Sequence, residues 1–307
     1  MRFAIIICLL SLVLALPARA ALFNQTGTFG TADLFAPSSI SVDSKGVIYV
    51  TDGTATAGTL KVFDASHSLI ATLGLGTLQG TMYRPSSVVA APNGTLYLGD
   101  VSRVLPMSTS GTAGTPVGDA TFIDTYQIAA DSASNLFVTD TGNNRVRMFT
   151  STGTPGFTIT SAAGTDLKNP FGVAVDASHI YVSDSWNNRI ALFDTAGNFQ
   201  SSFTALPTSL PAGWNDHAGN IAVAADGTIF ASYPHNGLAA FSSTGQLLDT
   251  YSAGFINPHS IAISGNTLYA LDGITHTVYV FQTPEPASLL FLGAPALLLL
   301  RKMQKRS

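Results

Sequence analysis

Four histidines, His217, His235, His259 and His276, fall in one part of the chain, and the first directly follows Asp216. Imidazole nitrogens beside a carboxylate are what zinc or a similar divalent ion takes as ligands. These five residues are therefore a candidate metal site. A second set is aromatic: Trp186, Trp214, Tyr126, Phe171 and Tyr233. Ring faces next to polar groups suit sugar stacking, which makes this set a candidate ligand surface. A third set recurs. Asp52, Asp100, Asp140, Asp184 and Asp272 each end a short apolar run ahead of a polar turn. A carboxylate in that place accepts turn N–H groups, so the repeated aspartates read as structural and no catalytic residue is assigned. Arg145 and Arg189 are placed to pair with Asp140 and Asp184. The turn Asp140–Asn144 lacks the dense oxygen spacing of a calcium loop. There is no Gly-rich phosphate cradle, no Gly-x-Ser-x-Gly elbow and no Cys/His dyad.

Whether the first two sets meet depends on the elements that carry them. Residues 169–194 read as three antiparallel strands: Gly172–Asp176, Ile180–Asp184 and Arg189–Phe193, the last after the turn Ser185–Asn188. Such a meander cannot bury both of its faces and needs neighbours of its own kind. The chain supplies them. The middle strand recurs with starts at residues 48, 96, 136, 180, 229 and 268. Most copies are followed by a strand ending in Phe: Phe63, Phe149, Phe193, Phe241 and Phe281. A period of roughly 44 residues with about four short strands per unit is the mark of a propeller. Six copies predict six blades in an all-β fold. The sixth repeat lacks an outer strand, while residues 23–36 look like one, so the N-terminal strand is expected to close the ring on blade 6.

The pattern Pro-x-Gly-Val-Ala-Val-Asp, Ile-Tyr-Val-x-Asp, Asn-Asn-Arg-Ile, Phe-Asp in blade 4 resembles the NHL repeat of six-bladed propellers. Blade 3 follows it with Asp140–Val146, blade 2 is weak after Asp100, and blade 5 carries Tyr233 in place of Asp. The resemblance implies a fold and little about activity, because this architecture hosts lyases, lactonases and plain binding modules. In such a ring the d–a and b–c connections share one rim. Trp186, Trp214, Tyr83, Tyr126, Phe171 and Tyr233 fall there, with the four histidines; His67 and His179 fall on the other face. The positions aligned with His259 are Ser38, Ser86, Tyr126, Phe171 and Gly219, none of them a strong metal ligand.

Residues 1–20 form a secretory signal peptide. Arg2 opens it, Phe3–Leu16 is apolar, and Ala18-Arg19-Ala20 is a small-x-small site with cleavage expected after Ala20. The one cysteine, Cys8, lies inside the apolar run, so the processed chain has neither disulfide nor thiol chemistry. The propeller occupies residues 21–282. Residues 283–307 form a tail: Pro284-Glu285-Pro286, an apolar helix over 287–300, then a basic end, 301–307, with Arg301, Lys302, Lys305 and Arg306. The positive-inside rule places that end in the cytoplasm. The run is shorter than the ~20 residues of an untilted span, and Pro295 interrupts it. Pro-Glu-Pro, a short apolar helix and a terminal basic cluster resemble the PEP-CTERM sorting signal. That resemblance implies processing by an exosortase-type membrane protease during surface sorting in a Gram-negative bacterium that makes exopolysaccharide. By it, Pro284, Glu285 and Pro286 are the processing motif.

Composition agrees with export: 10% charged residues, 46% hydrophobic, and a net charge of −4 that offers no basic field for nucleic acid. The expectation is a cell-envelope propeller, passing through the inner membrane and periplasm to the cell surface or extracellular matrix. It would act as a non-enzymatic binding or scaffold module for exopolysaccharide or a surface protein, with no cofactor. The alternative is a metal-dependent propeller lyase or lactonase holding a divalent ion.

Overall fold

The apolar runs become strands because β-branched and aromatic residues crowd them, while Asn, Asp and Gly interrupt them. The computed structural model describes residues 21–54, 57–75, 85–118, 121–205 and 217–284. Six antiparallel sheets stand around an axis as blades, with strands a to d counted outward. Blade 1 holds Ser39–Val42, Ile48–Thr54, Ala57–Phe63 and Leu69–Gly74. Blade 2 holds Ser87–Ala90, Leu96–Gly99 and Val104–Met107, with single bridges Val104–Val117 and Met107–Ala113 on its outer edge. Blade 3 holds Thr125–Ala130, Leu136–Asp140, Arg145–Phe149 and Pro155–Ile159. Blade 4 holds Pro170–Val175, His179–Asp184, Arg189–Asp194 and Phe199–Thr204. Blade 5 holds Ile221–Val223, Ile229–Tyr233, Gly237–Phe241 and Leu247–Tyr251.

Blade 6 takes strands a to c from Pro258–Ser264, Thr267–Asp272 and Thr277–Gln282, and its fourth from the N-terminus. Asn24–Phe29 pairs antiparallel with strand c, from Asn24 opposite Gln282 to Phe29 opposite Val278. The ring is therefore closed by the first strand, as the missing outer strand of the sixth repeat predicts.

Burial follows position in the ring. Middle strands are pressed between blades on both faces, so Leu136–Asp140 and Gly237–Phe241 are buried throughout. The outer strand Leu69–Gly74 alternates half-buried and exposed residues, one face packed and one wet. Six apolar clusters lie one at each seam between neighbouring blades. The closing seam puts Ile48, Val50 and Phe63 of blade 1 against Leu271, Val278 and Val280 of blade 6. The Phe residues that end strand c, from Phe63 to Phe281, are fully buried, and Met107 fills that place in blade 2.

The innermost strands are not backbone-paired to one another, so side chains tie them. Ser260 Oγ accepts the Ile40 N–H at 3.2 Å, and Ser39 Oγ accepts the Val88 N–H at 3.2 Å. Gln127 Oε1 accepts the N–H groups of Val173 at 3.0 Å and Ile221 at 3.2 Å, linking blade 3 to blades 4 and 5.

The two helical segments among the described residues are three-residue 3-10 turns, Thr141–Asn143 and Ser185–Asn187. Each closes on an Asn at φ 54, Asn144 and Asn188, which is why the second residue of each Asn-Asn pair is one that tolerates the left-handed region. Among the described residues no helix is long and apolar enough to cross a membrane. The signal peptide with Ala18 and Ala20, and the tail from Glu285 and Pro286 through the helix expected over 287–300, lie outside the described residues. Both ends of the propeller fall on the face that carries the a–b turns: Thr283 N–H donates to Asn266 O at 2.8 Å.

His67, on the c–d turn of blade 1, stacks on Phe29 of the closing strand at 4.6 Å and stands edge-on to Tyr269 of blade 6 at 6.0 Å. Burial holds its pKa below the ordinary value, with Asp64 pulling weakly the other way. A base whose folded pKa is depressed binds fewer protons than the unfolded chain does. Its contribution is therefore full above pH ~6.5 and is lost as pH falls toward the folded value. His67→Asn, which accepts the positive φ, is expected to lower stability at pH 7.5 and to shrink the further drop at pH 5. Urea midpoints at the two pH values check this.

Candidate binding cavity on the axis

Strands a and b run antiparallel, so the residues entering strand a and those leaving strand b meet at one end of the axis. A cavity of about 780 Å³ opens there. Ser38, Ser86, Tyr126, Phe171 and His259 line it, five of the six positions that the repeat aligns. Gly219, the sixth, carries no side chain.

In blades 1, 3, 4 and 6 a buried carboxylate at the end of strand b sets where these loops lie. Asp52 accepts the Ala36 N–H at 2.7 Å, Asp140 the Ile123 N–H at 2.8 Å and Asp184 the Lys168 N–H at 2.7 Å. Asp272 accepts four backbone N–H groups, those of Ile256, Asn257, Ile274 and Thr275, at 2.6 to 2.9 Å. Every donor before strand a lies two to three residues ahead of a cavity residue. Burial pushes the Asp272 carboxyl up, but the four N–H groups outweigh it and hold the pKa below the usual carboxylate range. Arg145 and Arg189 complete the arrangement as expected, with Nε at 2.6 Å from Asp140 and 2.7 Å from Asp184.

Blade 5 replaces the carboxylate. Tyr233 is fully buried and its hydroxyl donates to the carbonyl of Ala205, at the end of blade 4. Burial pushes that phenol far up, so it stays a donor. Tyr233 is thus no part of an exposed ligand surface. It ties two blades together with the hydrogen bond reversed, because its position in the repeat is the buried end of strand b.

The cavity has two unlike walls. On one side the rings of Tyr126 and Phe171 lie 4.6 Å apart, tilted by 40°. On the other stand His235, Asn257 and His259. The ring of His259 packs against Gly273, where an added Cβ would come within 2.3 Å of it, and its Nδ1 is 3.2 Å from Asn257 O. Burial lowers its pKa; the backbone of Asn257, the Asp272 charge and the carbonyls of Ser38 and Pro37 oppose this without overcoming it. The ring is therefore a neutral imidazole near pH 7. Asn257 Oδ1 is buried with no hydrogen-bond partner. Among the described residues Asp124 is the one carboxylate on the wall.

The four histidines do not converge. His235 and His259 share the cavity, but His217 turns its Nδ1 to Asn188 Oδ1 at 2.5 Å. His276 takes the turn position of Asn144 and Asn188, at φ 54, and its ring lies 6.3 Å from Phe35. Its backbone fills the left-handed turn position. Among the described residues no group of three or more His, Cys, Asp or Glu can hold a metal ion. The histidines as placed do not fit a divalent ion, and Asp216 lies outside the described residues, as do Trp214 and Tyr83.

Trp186 stands on this face but outside the cavity, 51% exposed, with Lys168 Nζ 5.6 Å above its ring. Around it lies an apolar collar: Phe35, Val101, Ile123, Ile256 and Ile274 are exposed, all on d–a or b–c connections. The repeat alignment carried the signal for Ser38 and Ser86 at the cavity. Nothing in the sequence marked Asn257, Gly273 or the collar, since these emerge only when turns of different blades meet.

No protein-family model matches the chain, and no curated protein matches it. Solved structures do. Virginiamycin B lyase from Staphylococcus aureus is similar at a TM-score of 0.62 and 14% identity, covering 84% of this chain and 99% of that one. A gluconolactonase from Xanthomonas campestris is similar at 0.63 and 15%, covering 86% and 89%. A catalytically inactive form of the S. aureus lyase with quinupristin is similar at 0.59 and 15%, covering 81% and 80%. At these identities the likeness establishes the six-bladed propeller fold alone.

Asp184 is wholly buried beneath Arg189, so Asp184→Asn leaves a guanidinium without its counter-charge. The expected cost is about 3 kcal/mol, read from urea unfolding.

Proposed function

We propose that this protein is an exported propeller that binds an uncharged, ring-bearing ligand, a neutral glycan of the cell surface or matrix, in its axial cavity without transforming it. The observation that carries this is the pair of unlike walls: the Tyr126–Phe171 rings on one side, and His235 with the neutral imidazole of His259 on the other. Aromatic faces stack on the apolar face of a sugar ring, and the polar wall takes its hydroxyls. Among the described lining residues the carboxylate of Asp124 is joined by no Lys or Arg, so an anionic ligand has no counter-charge to recompense its desolvation. The tail fits this role. Processing at Pro284-Glu285-Pro286 by an exosortase-type protease would deliver the domain to the surface. An attachment beyond Thr283 would leave the cavity face unobstructed, because the propeller's ends lie on the opposite face.

A second reading is favoured by His259 and by the lyase and gluconolactonase among the similar structures. A neutral imidazole at a cavity wall can act as a general base, taking a proton from water or from an acidic carbon. In lactone opening, the water so activated would add to the carbonyl carbon, and the ring oxygen would leave with a proton.

Calorimetry against neutral oligosaccharides separates the two, together with pH-stat assay of glucono-δ-lactone opening. Saccharide binding that weakens about threefold to tenfold in Tyr126→Ala and in Phe171→Ala, with lactone opening no faster than in buffer, supports the first. Lactone opening abolished by His259→Gln supports the second. Neither binding nor turnover sinks both.

A further inference from the structure

The ring is fastened at residues 22 and 23. Leu22 and Phe23 are 3% and 6% exposed. Phe23 stands edge-on to Phe230 of blade 5 at 5.7 Å and to Phe281 of blade 6 at 5.8 Å. The Leu22 N–H donates to Asp249 Oδ2, on strand d of blade 5, at 2.8 Å. The other oxygen of Asp249 accepts the Thr250 N–H at 2.9 Å. No Lys, Arg or His pairs with Asp249 among the described residues. A half-buried carboxylate therefore lacks a cation, and its one long-range bond goes to the second residue after the expected leader-cleavage point.

We infer that Asp249 is the seat of the mature chain's own α-ammonium, so that leader removal supplies the charge that fastens the ring. Hydrolysis of the Ala20–Ala21 peptide consumes one water, leaves a carboxylate on Ala20 and turns the Ala21 nitrogen from a neutral amide into an ammonium. Covalent geometry keeps that nitrogen within about 4 Å of the Leu22 nitrogen, and hence within about 7 Å of the carboxylate. This is less than the screening length of ~8 Å at physiological salt. Before cleavage the same atom carries no charge, and among the described residues Asp249 accepts only the N–H groups of Leu22 and Thr250. The closing strand is thus held more tightly after processing than before it, at a seam that joins the two ends of the chain. Tyr251, the other titratable group packed on Phe23, is pushed up by burial and then by Tyr279, and stays neutral below pH 9.5.

The test uses the chain beginning at Ala21 with a free or an acetylated N-terminus, each with Asp249 or with Asp249→Asn, unfolded in urea at pH 7 and pH 9.5. Acetylation is expected to raise the unfolding equilibrium constant about threefold to fivefold at pH 7 when Asp249 is present, by less than half as much in Asp249→Asn, and hardly at all at pH 9.5. The Ala21 amine, followed by NMR of the reductively methylated chain, is expected to titrate above the ordinary value of about 8. The NMR arm needs no Asp249 variant and stands if Asp249→Asn does not fold. Equal acetylation effects in both backgrounds, an amine titrating at its ordinary value, or N-terminal sequencing that places the processed end elsewhere than Ala21 would each overturn the inference.

Discussion

One buried carboxylate at the end of strand b, reaching back into the backbone of the loop that arrives from the previous blade, is the contact on which the rest depends. Without it each d–a loop would carry N–H groups into the ring with no acceptor, a cost of about 1–3 kcal/mol per group. With it the loop is pinned at one or two residues, and the side chain that follows is delivered to the axis. Asp272 shows the full form, gathering four donors from two loops. The aspartates that look catalytic by their recurrence are the residues that hold the cavity wall in place.

The same need explains the departure in blade 5. Strand b there ends in a buried phenol, and the hydrogen bond runs from Tyr233 to the Ala205 carbonyl instead of from a backbone N–H to a carboxylate. Tyrosine brings its own donor and leaves no buried charge, so no arginine is needed beside it. Blades 3 and 4, which keep the aspartate, pair it with Arg145 and Arg189.

Closure imposes a second constraint. Each seam buries apolar side chains from two blades, so an open ring would expose two seam faces and one unpaired edge. Joining Asn24–Phe29 to Thr277–Gln282 removes all three at once. It also sends both ends of the propeller, Leu22 and Thr283, to the face that carries the a–b turns.

The sequence by itself determined the number of blades, the strands within them, the closing role of the first strand and the Asp–Arg pairs. All of these are set within one repeat, or by a repeat that lacks one part. Alignment of the repeats also placed Ser38, Ser86, Tyr126, Phe171 and His259 around one opening. Tertiary structure alone decided which of them face one another. His217 and His276 share a rim with His259 in the alignment, yet one is drawn to Asn188 and the other is consumed by a left-handed turn. Tyr233 stands in register with the aspartates that end strand b and is buried like them, but only the packed ring shows its hydroxyl reaching the Ala205 carbonyl. The reason is that a repeat fixes a residue's height and blade, which depend on local backbone, while the direction of a side chain depends on packing against a neighbouring blade some forty residues away.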